Sequence, residues 1–253
     1  MIRIVINGIA GRMGREILSV LEARPKFSLI GGIDLKKIEG KDHIQVSQNP
    51  MDLLPKTDVV IDFSLPQGAL NVLYACLTLQ KPLVTGTTGL TEEEIEKFRK
   101  AGDKIPVVQA FNFSIGINLL VELVTQAARV LKDKTDTEIV EIHHRMKKDA
   151  PSGTALMLAE AIARGRGQEI SENITIGRRG KDLSRGSEIG IHSLRGGTVI
   201  GEHEVHFFGM NENLTFSHRA LNRKIFVDGA LTAAEWIVHQ KPGYYRMKDV
   251  LGF

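Results

Sequence analysis

The sequence predicts an α/β fold: a parallel sheet followed by a second, α+β domain with a mixed or antiparallel sheet. Three observations predict it. Between Arg3 and Gln109, short β-branched runs alternate with stretches of helical period, the pattern of a parallel sheet wound by right-handed crossovers. The run Asp58–Phe63 (D-V-V-I-D-F) is continuously apolar at its centre, as a strand covered on both faces requires. Beyond Leu131 the rhythm changes to strand-like runs separated by glycine.

Taken in order, Arg3–Asn7 is a strand ending at Gly8, and Arg12–Arg24 is a helix carrying Met13, Ile17, Val20 and Leu21 at helical spacing. Phe27–Ile33 and Asp58–Phe63 are the next two strands, Gln67–Gln80 is helical, and Pro82–Thr85 is a fourth strand ending at Gly86. Thr91–Gly102 opens T-E-E-E, a capping-box start, and stops at Gly102. Pro106–Gln109 is the fifth strand. A long helix, Gly116–Leu131, leads into Thr137–His143, whose E-I-V-E-I alternation reads as a half-exposed strand. A helix follows from Gly153 to Arg164, and Glu188–Ser193, Thr198–Phe208 and Asn213–His218 are strand-like. The glycine-rich, basic segment Arg166–Arg185 reads as a mobile loop. The last helix, Phe226–Val238, returns to pack on the first domain, because an open α/β sheet needs helices on both faces. The domains are then 1–113 with 224–253, and 114–223.

Composition narrows the function classes. Charged residues are 25% and apolar residues 42% of 253, ordinary for a soluble globular protein, and a net charge of +3 gives no global pull toward nucleic acid. The single cysteine, Cys76, forbids an intrachain disulfide and reads as a buried helix residue. The apolar N-terminus is too short for a signal peptide, and Ile115–Val124 is broken by Asn118 and Glu122, so neither a secreted nor a membrane protein is expected; the expected location is the cytoplasm.

In a parallel sheet, ligands sit off the carboxyl ends of the strands. The loop after the first strand is Gly8-Ile9-Ala10-Gly11-Arg12-Met13-Gly14, a G-x-x-G-x-x-G rather than the usual G-x-G-x-x-G. Its glycines allow a tight turn against a pyrophosphate, and the helix behind it offers N–H groups, so a Rossmann-like dinucleotide site is expected. Arg12 either meets a phosphate or lies solvated. Asp34, at the end of the second strand, is placed for ribose hydroxyls, while Lys36 and Lys37 could meet a 2′-phosphate; NADH, NADPH or both therefore remain open. Gly86-Thr87-Thr88-Gly89 and Ala110-Phe111-Asn112-Phe113-Ser114 follow later strands and are candidates for the nicotinamide half, although each phenylalanine taken alone reads as core.

The densest chemistry is Glu141–Thr154, E-I-H-H-R-M-K-K-D-A-P-S-G-T. Hydride reduction of a C=C or C=N bond creates an anion that must be protonated, and His143, His144 and Lys147 are the candidates. Adjacent His143 and His144 point different ways on a strand and so have different tasks. Arg145, Lys147 and Lys148 attract carboxylates, and Ser152-Gly153-Thr154 opens a helix whose N–H groups and hydroxyls suit an anion. A small dicarboxylate substrate fits this much positive character. His192, His203 and His206 match no zinc spacing and no metal is expected; His203 and His206 read as serving the sheet or an interface. Rival readings are a dehydrogenase for an aldehyde or sugar, for which no active-site thiol is evident, and a nucleotide sensor, which would not need His143, Lys147 and the anion turn together.

These motifs, with V-I-D-F-S at Val60–Ser64, G-T-T-G at Gly86–Gly89 and N-F-S-I-G at Asn112–Gly116, resemble the dihydrodipicolinate (4-hydroxy-tetrahydrodipicolinate) reductases of lysine and diaminopimelate biosynthesis over essentially the whole chain. The resemblance implies an NAD(P)H-dependent enzyme with an N-terminal Rossmann domain and a second domain for substrate and homotetramer formation. It implies His143 and Lys147 as catalytic residues, and His144, Ser152, Gly153 and Thr154 as substrate contacts. It implies Gly8–Met13, Asp34, Gly86–Thr88 and Ala110–Phe113 as cofactor contacts, without a metal.

Overall fold

The computed structural model describes residues 1–169, 173–181 and 184–253. The chain divides into two compact units, Met1–Ile115 with Lys224–Phe253, and Gly116–Arg223.

The first unit is built on a seven-stranded parallel sheet. Its strands are β1 (Ile2–Asn7), β2 (Phe27–Ile33), β3 (Val46–Ser47), β4 (Val59–Asp62), β5 (Leu83–Thr85), β6 (Pro106–Gln109) and, from the returning C-terminal segment, β12 (Gly243–Tyr245). Their order is β12-β6-β5-β4-β1-β2-β3. Period-two alternation sends successive side chains of β1 into different layers. Ile4 and Ile6 join one apolar layer with helices α1 (Arg12–Leu21) and α6 (Lys224–Ile237). Val5 joins the opposite layer with α2 (Pro66–Leu79) and α3 (Glu92–Ala101). α6 supplies Val227, Ala230, Leu231, Ala233, Ala234 and Ile237 to the first layer, so the chain's last segment completes the first unit's core. Cys76 is fully buried in the second layer. Thr91 caps α3 through a full capping box with Glu94.

The second unit has a five-stranded mixed sheet in the order β11-β10-β7-β9-β8, from β7 (Asp136–His143), β8 (Ile174–Ile176), β9 (Ile189–Arg195), β10 (Glu202–Phe208) and β11 (Asn213–Arg219). β7 runs parallel to β9 and antiparallel to β10. Helices α4 (Ile115–Leu131) and α5 (Gly153–Arg166) pack on one face, with Ile139, Ile189, Ile191, Val205 and Phe207.

Several short elements exceed what periodicity predicts. β3 has two residues and β12 three, too few to show a period, and they exist because β2 and β6 offer them a ladder edge. The segment expected as a loop, Arg166–Arg185, contains β8, which pairs with β9; positions 170–172 and 182–183 lie outside the described residues. Among the described residues no helix is long and apolar enough to cross a membrane.

Candidate functional site

The glycine loop follows β1, where strand order departs in both directions toward β2 and β4, the position at which parallel sheets bind ligands. Gly8 sits at φ +80°, and a Cβ there would lie 2.6 Å from the Phe63 carbonyl oxygen. A Cβ on Gly14 would lie 2.4 Å from the Gly8 carbonyl oxygen. Only glycine lets the chain turn this tightly. Gly11 is the N-cap of α1 with no side-chain cap, so the first-turn N–H groups of α1 have no side-chain acceptor among the described residues. That donor set fits a pyrophosphate. Asp34 stands beside the loop: its carboxylate accepts from Ala10 N at 3.0 Å and Lys36 N at 3.1 Å. Arg12 is exposed, whereas Ile9 is a fully buried core residue that can offer a ligand only backbone.

A buried polar knot ties three strand ends together. Asp62, at the end of β4, accepts from Asn7 Nδ2 (2.8 Å), Ser64 N (3.1 Å) and Ser64 Oγ (2.6 Å) on one oxygen. Its other oxygen accepts from Thr85 Oγ1 (2.6 Å) and Thr87 Oγ1 (2.8 Å). The Thr87 hydroxyl is therefore spent on scaffold, while Thr88 is exposed. Gly86 packs against Phe63 and Phe113, where a Cβ would come within 2.2 Å of the Phe63 ring. Phe113 is 2% exposed and meets Phe63 edge-on, so its ring belongs to the core; Phe111 is 60% exposed, and Ala110 and Asn112 are intermediate.

In the second unit the sheet register builds the other half of the chemistry. Glu141 lies opposite His203 on β10 and Ser193 on β9, and His143 lies opposite Arg195. Being two apart on β7, Glu141 and His143 share the face that α4 and α5 cover. Glu141 has no exposed side-chain surface; Arg195 forks it, Nη1 to Oε2 at 2.8 Å and Nη2 to Oε1 at 2.7 Å. Oε2 also meets His143 Nδ1 at 2.5 Å, and Oε1 accepts from Ser152 N at 3.2 Å. Burial alone would raise the Glu141 pKa, but the hydrogen bonds from Arg195 and His143 overcome it and hold it at about 2. Burial pushes His143 below its ordinary value against the pull of Glu141.

His203 is 4% exposed and stands edge-on to His143 with ring centroids 5.2 Å apart. Its Nε2 lies 3.2 Å from Ser152 Oγ, and burial drives its pKa to about 3. His203, expected to serve the sheet or an interface, lies in the sheet, and the register also sets it against His143 and Ser152, a cross-strand relation that spacing along the sequence does not contain. Ser152 is the N-cap of α5, its hydroxyl accepting from Ala155 N at 3.2 Å. Gly153 is exposed and Thr154 half-buried on the first turn. Lys147 pairs with Asp149 at 2.8 Å, and His144, half-buried, accepts Lys147 N through its carbonyl. Sequence reasoning also missed Glu141 and Arg195; the available signal was that Glu141 opens the motif at even spacing from His143. His192 bonds Glu138 on the opposite sheet face. Among the described residues no group of three or more His, Cys, Asp or Glu side chains is arranged to hold a metal ion.

Comparison with known proteins places these features. The family model "Dihydrodipicolinate reductase, N-terminus" matches residues 2–113, and "Dihydrodipicolinate reductase, C-terminus" matches residues 116–251. Proteins named 4-hydroxy-tetrahydrodipicolinate reductase are similar along the full length. That of Alkaliphilus oremlandii is 43% identical, covering 98% of each chain, and that of Aquifex aeolicus is 42% identical, covering 99% of each. A solved dipicolinate-bound dihydrodipicolinate reductase from Paenisporosarcina sp. TG-14 superposes with a TM-score of 0.79 at 27% identity, over 97% of each chain. A myo-inositol dehydrogenase from Corynebacterium glutamicum, 16% identical over 99% of this chain and 92% of its own, shares the fold with a TM-score of 0.60. With both family models matched end to end and the site motifs in their order, the chain belongs to the dihydrodipicolinate reductase family.

Proposed function

We propose that the chain catalyses reduction of the cyclic imine dicarboxylate 4-hydroxy-tetrahydrodipicolinate to tetrahydrodipicolinate, using NADH or NADPH. The observation that carries the reading is His143 held on a buried carboxylate, with Lys147 in the adjoining loop and an anion-binding helix N-terminus at Ser152. The glycine loop, Asp34 and the loops at Gly86–Thr88 and Ala110–Phe113 would hold the nucleotide, which supplies the hydride when bound.

The chain's own residues do the rest. The first-turn N–H groups of α5, Thr154 and His144 bind and orient a ring carboxylate. Lys147 donates the proton that the hydride-receiving ring requires, and Asp149 aims its ammonium. Asp34 favours a free ribose and Lys36 and Lys37 favour a 2′-phosphate, so the enzyme uses both nucleotides. The second unit binds substrate and forms the homotetramer, as the family resemblance implies. A cytoplasmic enzyme needing no metal follows from the same reading.

The test is a coupled assay with freshly condensed pyruvate and aspartate-semialdehyde, following NADH and NADPH oxidation in parallel. Substrate-dependent oxidation is expected with both. A folded protein that binds NADH yet oxidises neither nucleotide excludes the activity. Binding of 2,6-pyridinedicarboxylate that tightens once reduced nucleotide is present separates an enzyme from a sensor.

A further inference from the structure

We infer that Arg195 is a positioning residue that fixes His143 as a neutral hydrogen-bond acceptor: its guanidinium forks Glu141, the carboxylate takes the Nδ1 proton of His143, and Nε2 keeps its lone pair. The inference deepens the reductase reading and rests on it for the task of His143, but the charge arrangement stands without it.

An ionised carboxylate only accepts, so the 2.5 Å contact with Glu141 requires hydrogen on Nδ1. A buried carboxylate facing an imidazole ordinarily favours imidazolium. Here the carboxylate is not free to do so, because a second cation is already forked to both its oxygens. The charged and titratable groups around His143 are Glu141 on β7, Arg195 on β9, His203 on β10, and Lys147 with its partner Asp149 in the following loop. Each cation has a carboxylate of its own, Arg195 with Glu141 and Lys147 with Asp149, so no unpaired anion faces the imidazole, and burial holds it below its ordinary value. Glu141 therefore sets orientation and tautomer while Arg195 cancels its charge. The Nε2 edge lies beside Gly201, where a Cβ would stand 3.0 Å from it. His143 then accepts a substrate N–H or O–H, and Lys147 alone is the proton donor.

The test is histidine-selective 15N and 13C NMR on the full-length protein without substrate, with His143 assigned by loss of its signals in His143→Gln. Wild type should show the Nδ1–H tautomer at pH 7 and a midpoint below that of free histidine. Arg195→Met should raise the midpoint by a pH unit or more, at least tenfold in proton affinity, and Arg195→Lys should restore most of the wild-type value. An unchanged midpoint in a folded Arg195→Met overturns the inference. If that variant does not fold, a wild-type His143 found as imidazolium or as the Nε2–H tautomer at pH 7 overturns it alone. Because these signals need no turnover, a silent coupled assay with intact NMR behaviour rejects only the reductase reading, and the converse rejects only Arg195.

Discussion

The hydroxyl of Ser152 caps α5 and, at 3.2 Å, also meets Nε2 of His203, so one oxygen joins a helix N-terminus to a strand. Ser152→Ala removes both contacts. It should lower stability by about 1–2 kcal/mol, read from denaturant midpoints, and weaken binding of 2,6-pyridinedicarboxylate. Ser152→Thr retains the oxygen and should recover most of the stability. Equal loss in both variants would show that the hydroxyl does not matter.

Acid sensitivity follows from the same pair of rings. His203 titrates at about 3 and His143 below its ordinary value in the fold, against 6.5 in the unfolded chain. The unfolded state therefore binds more protons as pH falls below 6.5, and stability declines from there down toward pH 3. Glu141, at about 2 against 4.5, contributes stability that is full above its unfolded value and is lost on further acidification. Each group alone contributes a slope of about 1.4 kcal/mol per pH unit across its window. Unfolding midpoints between pH 7 and pH 4 should shift less in His203→Phe than in wild type; parallel curves would refute this.

Lys147→Ala should reduce turnover by about two to four orders of magnitude while the affinity for reduced nucleotide, measured by fluorescence, stays near wild type. Undiminished turnover would exclude Lys147 as donor.

Gly8→Ala puts a Cβ 2.6 Å from the Phe63 carbonyl at φ +80°. It should cost about 1–3 kcal/mol and abolish measurable NADH binding by calorimetry. Gly89→Ala shares the positive φ (+79°) but meets nothing within 4 Å, and should keep binding.

Asp62→Asn places an amide NH₂ against donors, since all five contacts of the carboxylate are donated to it. A loss of about 2–4 kcal/mol is expected in urea titration, with Asp62→Glu no better because the extra methylene moves a fully buried carboxylate off its five donors. A neutral result would show the knot to be dispensable.

Much of this was legible along the chain. β2 and β6 have the bounds the sequence predicts: Lys26 and Asp34 bracket β2, while Pro106 opens β6 and polar Gln109 closes it. The Thr91 cap and the Gly102 stop were written in local chemistry. The turn at Gly8 was likewise local. What stayed hidden was pairing. His203 and Arg195 reach Glu141 and His143 only through β7's neighbours, and no spacing within one strand encodes which strand lies beside it. Asp62 looked like the polar end of an apolar strand; its five donors come from four other residues gathered by the sheet. Thr87 and Phe113 were visible as strand-end residues, but whether such a side chain turns to ligand or scaffold is decided by packing.

The interrupted layout of the first unit has a consequence for how the polypeptide is made. Its sheet lacks β12, and one apolar layer lacks α6, until the final segment has been translated. At roughly 5–20 residues per second, β6 leaves the ribosome several seconds before its edge partner exists, with Val84, Val108 and Ile61 awaiting their cover. The intervening unit carries an apolar cluster of its own, so the middle of the chain can gather its core while its beginning waits for its end.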